Sequence, residues 1–216
     1  MYGGDKKPRE RKRTCCEGFC GFLFAAGLFV LIYWAVFQPH QIRATVVSAT
    51  LSNLTVISNN ASSSPEVVSY SLAVSLSVYN PSKRVNIYYD TVGAELRFRD
   101  AAIGPAATGA SPSEFYQRRK ASHDVKLDFD YVRSGVAVGR DVAGELETAA
   151  KSGGPLSLEL GVDVRVRYVF RIFKLRLKLR QKPRIWCSLS IPVKAEARGS
   201  GFGGAVASGD RCRVKY

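Results

Sequence analysis

The residues that could do chemistry are few and scattered along the 216-residue chain. Neither histidine, His40 or His123, has a metal-ligand partner at a recognisable spacing. Asp128 and Asp130 share one face of a predicted strand, which is more typical of solvent exposure than of a paired acid and base. Residues 199–204 read G-x-G-x-x-G, but no βαβ unit surrounds them, so we expect a flexible loop. No nucleophile-elbow or Ser/His/Asp sequence signature occurs. The sequence predicts no catalytic residue, cofactor or metal, although a triad assembled only in space stays open.

A long apolar stretch near the N-terminus is a candidate membrane span. Residues 19–37 carry no charge, and as a helix they would extend about 28 Å, close to the thickness of a bilayer core. The alternative is a buried core helix, but such helices seldom stay apolar on every face. We predict a basic tail over residues 1–17, a transmembrane signal anchor over 18–38 and a folded domain over 43–216.

The charge around this stretch predicts its direction. Only Arg43 is charged between the stretch and Glu66, whereas six basic residues precede it: Lys6, Lys7, Arg9, Arg11, Lys12 and Arg13. The positive-inside rule then keeps the N-terminus in the cytosol and places the domain outside. A cleaved signal peptide is the alternative, although no convincing cleavage site follows. Asn53 and Asn60 lie in sequons and become glycosylation candidates, while Pro81 blocks the sequon at Asn80.

The five cysteines fall into two groups. Cys15, Cys16 and Cys20 lie at the predicted cytosolic edge of the span, where S-acylation is common; the alternative is ordinary reduced cysteine. Cys187 and Cys212 lie in predicted strands outside the cell, where a disulfide is favoured; the alternative is two buried thiols.

Alternation of apolar and polar residues dominates the region after the stretch. Residues 44–58, 67–80 and 123–132 are rich in this period-2 pattern, and turn residues separate them. Between Ser134 and Gly153 apolar residues instead recur every four positions, which indicates one short helix. The chain therefore predicts an all-β fold, an immunoglobulin-like β-sandwich of about seven strands with one short helix.

A basic stretch, residues 162–180, changes its alternation at Ile172–Phe173. We expect two strand segments there, joined by a bulge or tight bend. Its cations are either a solvated face that protects a sheet edge or a binding face for an acidic partner, with Arg176, Lys178 and Arg180 as the candidate polyanion face. The formal net charge of +14 fits an acidic partner. A position outside the cell favours an acidic polysaccharide and argues against nucleic acid.

Several short motifs resemble those of one plant family. Residues 79–90 read YNPSKRVNIYYD, residues 115–122 read FYQRRKAS, and the chain closes on Cys-x-Val-x-Tyr. These are similar, in order, to motifs of the harpin-induced, non-race-specific-disease-resistance-like proteins, which carry a late-embryogenesis-abundant group 2 domain. Ser82, Val85-Asn86 and Arg118-Arg119 depart from the common pattern. The motif residues carried over are Asn80, Pro81, Lys83, Arg84, Tyr88, Tyr89, Asp90, Phe115, Tyr116 and Gln117.

The resemblance implies a sandwich domain, plasma-membrane residence, and a role in pathogen defence or stress response without enzymatic activity. We therefore expect a membrane-anchored interaction protein whose partners are the lipid bilayer, other membrane proteins and an acidic wall polysaccharide. The alternative is a stress-protective structural protein that links membrane and cell wall. An enzyme is the weaker hypothesis.

Overall fold

The computed structural model describes residues 10–37, 41–57, 65–83, 85–105, 114–172, 175–196, 201–207 and 209–216. The chain divides into two compact units, Met1–Pro39 and His40–Tyr216. The first unit contains helix α1, Glu10–Phe37, in which the described side chains from Phe19 to Ile32 are almost all exposed. The predicted transmembrane helix is not supported, since no helix in the described residues is long and apolar enough to cross a bilayer.

The second unit is built almost entirely from antiparallel strands. Its described residues form thirteen strands and one helix. These are β1 Arg43–Ile57, β2 Glu66–Tyr79, β3 Val85–Phe98, β4 Ala101–Pro105, β5 Phe115–Gln117, β6 Ser122–Asp130, β7 Val136–Val138, α2 Arg140–Lys151, β8 Pro155–Ile172, β9 Leu175–Gln181, β10 Arg184–Pro192, β11 Lys194–Ala195, β12 Phe202–Val206 and β13 Arg213–Lys215.

The strands form two sheets. A six-stranded sheet has the order β11-β12-β1-β2-β6, with β7 also paired to β2. A seven-stranded sheet has the order β13-β10-β8-β3-β4, with β5 also paired to β3 and β9 to β8. The prediction of an all-β sandwich is confirmed, while an immunoglobulin-like strand order stays a prediction. The predicted count of about seven strands was too low, because six of the thirteen have five residues or fewer and are too short to show alternation.

Alternation along the long strands builds the core between the sheets. A small apolar cavity shows the shared interior, because leucines of both sheets line it together with Leu146 of α2. On β2, every second side chain points into this core: Leu72, Val74, Leu76 and Val78 are each at most 3% exposed. Helix α2 contributes Ala143, Leu146 and Ala150. The buried apolar area is what stabilises the two layers against each other.

Of three local predictions, two differ from the structure in detail and one agrees with it. The helix expected over 134–153 is shorter, because Val136–Val138 pairs with β2 and Gly139 is extended at the helix start. The break expected at Ile172–Phe173 coincides with the end of β8, whose Ile172 pairs with Leu175 of β9. The loop expected at 199–204 was partly wrong, since residues from Phe202 onward form β12. Gly204 fits in this strand because it has no side chain: an added Cβ would lie 2.0 Å from the Pro192 carbonyl oxygen.

Candidate functional site

The two family motifs come together at one end of the sandwich. The first motif runs from the last residue of β2 through the β2–β3 loop into β3, and the second covers β5 and the turn into β6. Asn80 is fully buried, and its Nδ2 donates to the carbonyls of Val85 (3.0 Å) and Arg118 (3.2 Å). Its Oδ1 accepts from the backbone N–H of Ser82 at 3.0 Å, an Asx turn. This amide therefore fixes the loop and joins it to the second motif.

Gln117 performs the same task from the second motif. Its buried Nε2 donates to the carbonyls of Val78 and Ala121, both at 2.7 Å. Its Oε1 accepts a hydrogen bond of 2.9 Å from the hydroxyl of Tyr89. Burial, and secondarily the neighbouring Tyr216, raises the pKa of the Tyr89 hydroxyl above its ordinary value, so this hydroxyl stays a donor.

A stack of rings completes the interior of the motif. Phe115 lies parallel to Tyr89 at a centroid distance of 4.1 Å and against His123 at 4.3 Å. Such offset or parallel contacts add stability beyond buried area. We call Asn80, Tyr89, Phe115 and Gln117 the motif core. His123, weighed above as a metal ligand, is thus part of an aromatic stack.

The neighbouring residues of the same motifs face solvent. Tyr88 and Tyr116 are 39% and 43% exposed, and their rings lie 4.6 Å apart. Arg167 of β8 places its guanidinium 5.8 Å from the Tyr88 ring and pairs with Asp90, the Nη2–Oδ1 distance being 2.5 Å. The hydrogen bond to Asp90 raises the pKa of Arg167. We call Tyr88, Tyr116, Asp90 and Arg167 the motif surface.

The C-terminal tyrosine belongs to a network that the sequence did not assign. The Tyr216 hydroxyl accepts from the backbone N–H of Ile42 at 2.8 Å and lies 3.3 Å from the hydroxyl of Tyr168. Burial first, and the bond to Tyr216 second, raise the pKa of Tyr168. The closing Cys-x-Val-x-Tyr pattern was the available signal; it did not show that Tyr216 reaches the first strand.

The two late cysteines lie together in the structure. Cys187 of β10 and Cys212 are joined as a disulfide with a Cα–Cα distance of 4.4 Å. The backbone N–H of Cys212 donates to the carbonyl of Ala44 in β1. The link therefore holds the C-terminal segment, which bridges to β1 through Arg211, against the other sheet.

The remaining predicted sites are only partly described. Asn53 is exposed and lies at a bulge of β1 with a left-handed φ of 54°, while Asn60 and Arg84 lie outside the described residues. Cys20 is a free, exposed thiol; Cys15 and Cys16 lie in α1, where their side chains are not described. Lys83, Lys178 and Arg180 are exposed, and the Arg176 side chain is not described. The polyanion face of Arg176, Lys178 and Arg180 therefore stays a prediction.

Where the side chains are described, no three His, Cys, Asp or Glu residues are grouped so that they could hold a metal ion. Asp128 and Asp130 point to solvent, and Asp130 accepts from the backbone N–H of Val132. The arrangement at the motifs is suited to holding a surface in place, since its hydrogen bonds are internal and its exposed part is aromatic and charged.

Comparison with known proteins agrees with the motifs. The family model "Late embryogenesis abundant protein" matches residues 75–183, and the chain belongs to this family, in its group 2 form. Among its relatives is NDR1/HIN1-like protein 3 of Arabidopsis thaliana, 28% identical over 88% of this chain and 74% of the relative. NDR1/HIN1-like protein 1 of the same plant is 30% identical over 68% of this chain and 65% of its own length. The resemblance to the harpin-induced, non-race-specific-disease-resistance-like proteins is thereby confirmed.

Proposed function

We propose that this chain is a membrane-anchored, non-enzymatic interaction protein of plant defence or stress response. The observation that carries the proposal is the motif surface. Its two tyrosines and one arginine are the residue types most enriched where proteins bind each other. The two tyrosines stay exposed although the neighbours of Tyr88 in β3, Ile87 and Tyr89, are buried. The two family motifs each supply one tyrosine of an exposed aromatic pair. Such a pair is better suited to binding a partner than to packing within the domain.

The motif core supports the same proposal by making the surface rigid. Tyr88 lies between the buried residues Ile87 and Tyr89. Tyr116 lies between the buried Gln117 and the half-buried Phe115, whose ring stacks on Tyr89. Asp90 fixes Arg167 from the side. A preorganised surface loses less side-chain entropy on binding than a flexible one.

The exposed apolar side chains of α1 support membrane anchoring. Phe22, Phe24, Phe29 and Leu31 are each 66% exposed or more, which is costly in water. The six basic residues before the apolar stretch support a cytosolic N-terminus and an extracellular domain at the plasma membrane. The family resemblance supports both the location and the defence or stress role.

Three tyrosines whose pKa is raised by burial, Tyr70, Tyr89 and Tyr168, have structural roles. They act as hydrogen-bond donors within the fold.

Proximity labelling in plant cells tests the proposal. A labelling enzyme fused to the domain end of the full chain should mark a set of membrane proteins that the variant Tyr88→Ser/Tyr116→Ser no longer marks. The matched control, Val47→Ser/Ile57→Ser, removes two equally exposed apolar side chains from β1 and should mark the same set as wild type. If the tyrosine variant and wild type mark the same proteins, the motif surface is not an interaction site.

A second candidate function is a stress-protective link between membrane and cell wall. It is supported by exposed basic residues of the domain. These are Lys178, Arg180, Arg211, Arg213 and Lys215. Its partner would be an acidic wall polysaccharide.

A further inference from the structure

A cleft lies on the seven-stranded sheet beside its edge strand β13, away from the motif surface. Its volume is about 630 Å³, within the range of small-ligand sites. Strands distant in sequence supply its lining, in particular Arg97, Glu159, Trp186, Arg211, Arg213 and Lys215. The sequence analysis assigned no role to any of them. We call this feature the Trp186 cleft.

One wall of the Trp186 cleft is a row of cations. Arg211, Arg213 and Lys215 alternate with Cys212 and Val214 along the extended C-terminal segment, and all three are exposed. Alternate residues of a strand share a face and lie about 6.7 Å apart. The pairing of Arg213 with Trp186 in β10 and the Cys187–Cys212 disulfide hold this row in position.

The indole of Trp186 forms an aromatic surface next to that row. Trp186 is half-buried, and Gly161 of β8 lies opposite it, where an added Cβ would come within 3.2 Å of the ring. The glycine therefore makes room for the indole to lie flat across the neighbouring strand. The guanidinium of Arg97, which also donates to the carbonyl of Asp100 at 2.7 Å, lies 5.8 Å from the ring centroid.

The charge of the lining indicates which chemical class of ligand the cleft can bind. Four cations face one carboxylate, that of Glu159, so an anion is attracted. The accessible part of the half-buried indole favours a ligand with a flat apolar face, which the C–H face of a pyranose ring supplies. Arginine guanidinium groups bind carboxylates in a planar, two-bond geometry. A sugar that carries a carboxylate meets both requirements.

We propose that the Trp186 cleft binds an oligosaccharide of uronic acids, with one sugar ring against Trp186 and carboxylates on Arg213 and Lys215. This rests on the second candidate function, the link between membrane and cell wall. It moves the polysaccharide site from Arg176, Lys178 and Arg180 on β9 to the cleft beside β10 and β13.

Tryptophan fluorescence of the full chain in detergent micelles provides a direct test. The chain has two tryptophans, so Trp34→Phe leaves Trp186 as the sole reporter. Titration with a short oligogalacturonide should change its emission saturably at low salt, and added salt should weaken the binding. A fully methyl-esterified oligogalacturonide, which lacks the carboxylates, should not saturate it.

Paired variants locate the binding. Arg213→Gln/Lys215→Gln should weaken binding about tenfold, whereas Lys178→Gln/Arg180→Gln removes the same charge elsewhere on the sheet and should change it little. By an independent binding assay such as calorimetry, Trp186→Phe should retain most of the affinity and Trp186→Ala should lose about tenfold. Thermal unfolding of each variant, compared with wild type, separates lost binding from lost folding.

Three results would overturn the inference. These are absence of saturable binding by wild type, equal losses from the two charge-removing pairs, and equal binding of the methyl-esterified probe. Displacement of the oligogalacturonide by poly-glutamate at equal charge concentration would assign the cleft to acidic protein segments instead. None of these results affects the proximity labelling at the motif surface, so the proposed interaction function stands or falls separately.

Discussion

The hydroxyl of Tyr89 donates a hydrogen bond of 2.9 Å to Oε1 of Gln117 in the interior of the domain. The bond joins residues 28 positions apart and connects the two family motifs directly. Gln117 also donates hydrogen bonds to the carbonyls of Val78 and Ala121, so its one side-chain amide is bonded to three other groups. This relationship explains why a tyrosine and a glutamine belong to motifs whose neighbouring residues face solvent.

Replacing these two residues should show that they act together. We expect Gln117→Ala to lower the free energy of unfolding by about 3 kcal/mol, since it removes the three hydrogen bonds of this side chain at about 1 kcal/mol each. Tyr89→Phe should cost about 1 kcal/mol, and the double variant should cost less than the sum. Urea unfolding of the full chain in detergent measures all three, with the exposed Tyr116→Phe as control. Strict additivity would contradict the direct bond.

The disulfide should contribute measurably to stability. Cys212→Ser opens a cross-link with a sequence separation of 25, for which the chain-entropy model gives about 3 kcal/mol. The control Cys20→Ser, which changes a free thiol, should leave unfolding unchanged. Peptide mapping by mass spectrometry without reduction should find Cys187 and Cys212 in one linked peptide. Two free thiols would exclude the link.

Alkaline pH should destabilise the domain through its buried tyrosines. Burial, the largest cause, raises the pKa of Tyr168 above its ordinary value of 10.0, so the folded state favours the protonated hydroxyl. This contribution is fully present below about pH 10 and is lost as the pH rises toward the folded-state pKa, at about 1.4 kcal/mol per pH unit. Above about pH 10, the free energy of unfolding of Tyr168→Phe should therefore fall less steeply with pH than that of wild type. Parallel stability curves would show that Tyr168 does not titrate differently on unfolding.

Acylation of the early cysteines stays a prediction of the sequence. The structure adds that Cys20 is exposed on α1. Acyl-exchange labelling of the full chain in plant cells should give a signal that Cys15→Ser/Cys16→Ser/Cys20→Ser abolishes. Restoring Cys20 alone should recover part of it. A signal that survives the triple replacement would place acylation elsewhere or exclude it here.

Alternation made the long strands predictable. Leu72, Val74, Leu76 and Val78 appear on one face in the sequence and in the core in the structure, because period-2 burial is a local property of an extended chain. The short strands were not predictable in this way. Phe202–Val206, for example, has a glycine-rich sequence and becomes a strand only because β1 and β11 pair with it.

The functional residues likewise divide into those that the local sequence indicates and those that only the fold brings together. The motifs identified Tyr88 and Tyr89, and alternation predicts that one faces out when the other faces in. The Trp186 cleft could not be predicted, because Arg97, Trp186 and Arg213 lie on three strands whose order in the sheet is not readable from the chain. Likewise, nothing local indicates that Tyr216 contacts Ile42, a separation of 174 residues.

Glycosylation of the domain tests the central claim, an extracellular interaction domain behind a membrane anchor, most directly. Asn53 is exposed at a bulge of β1, so its side chain is accessible to modification. Full-length protein from plant membranes should shift to lower mass on gels after glycosidase treatment. The shift should disappear in Asn53→Gln/Asn60→Gln and persist in the control Asn59→Gln, which lies outside a sequon. Absence of any shift, together with cleavage of the domain by protease added to the cytosolic side, would contradict the account.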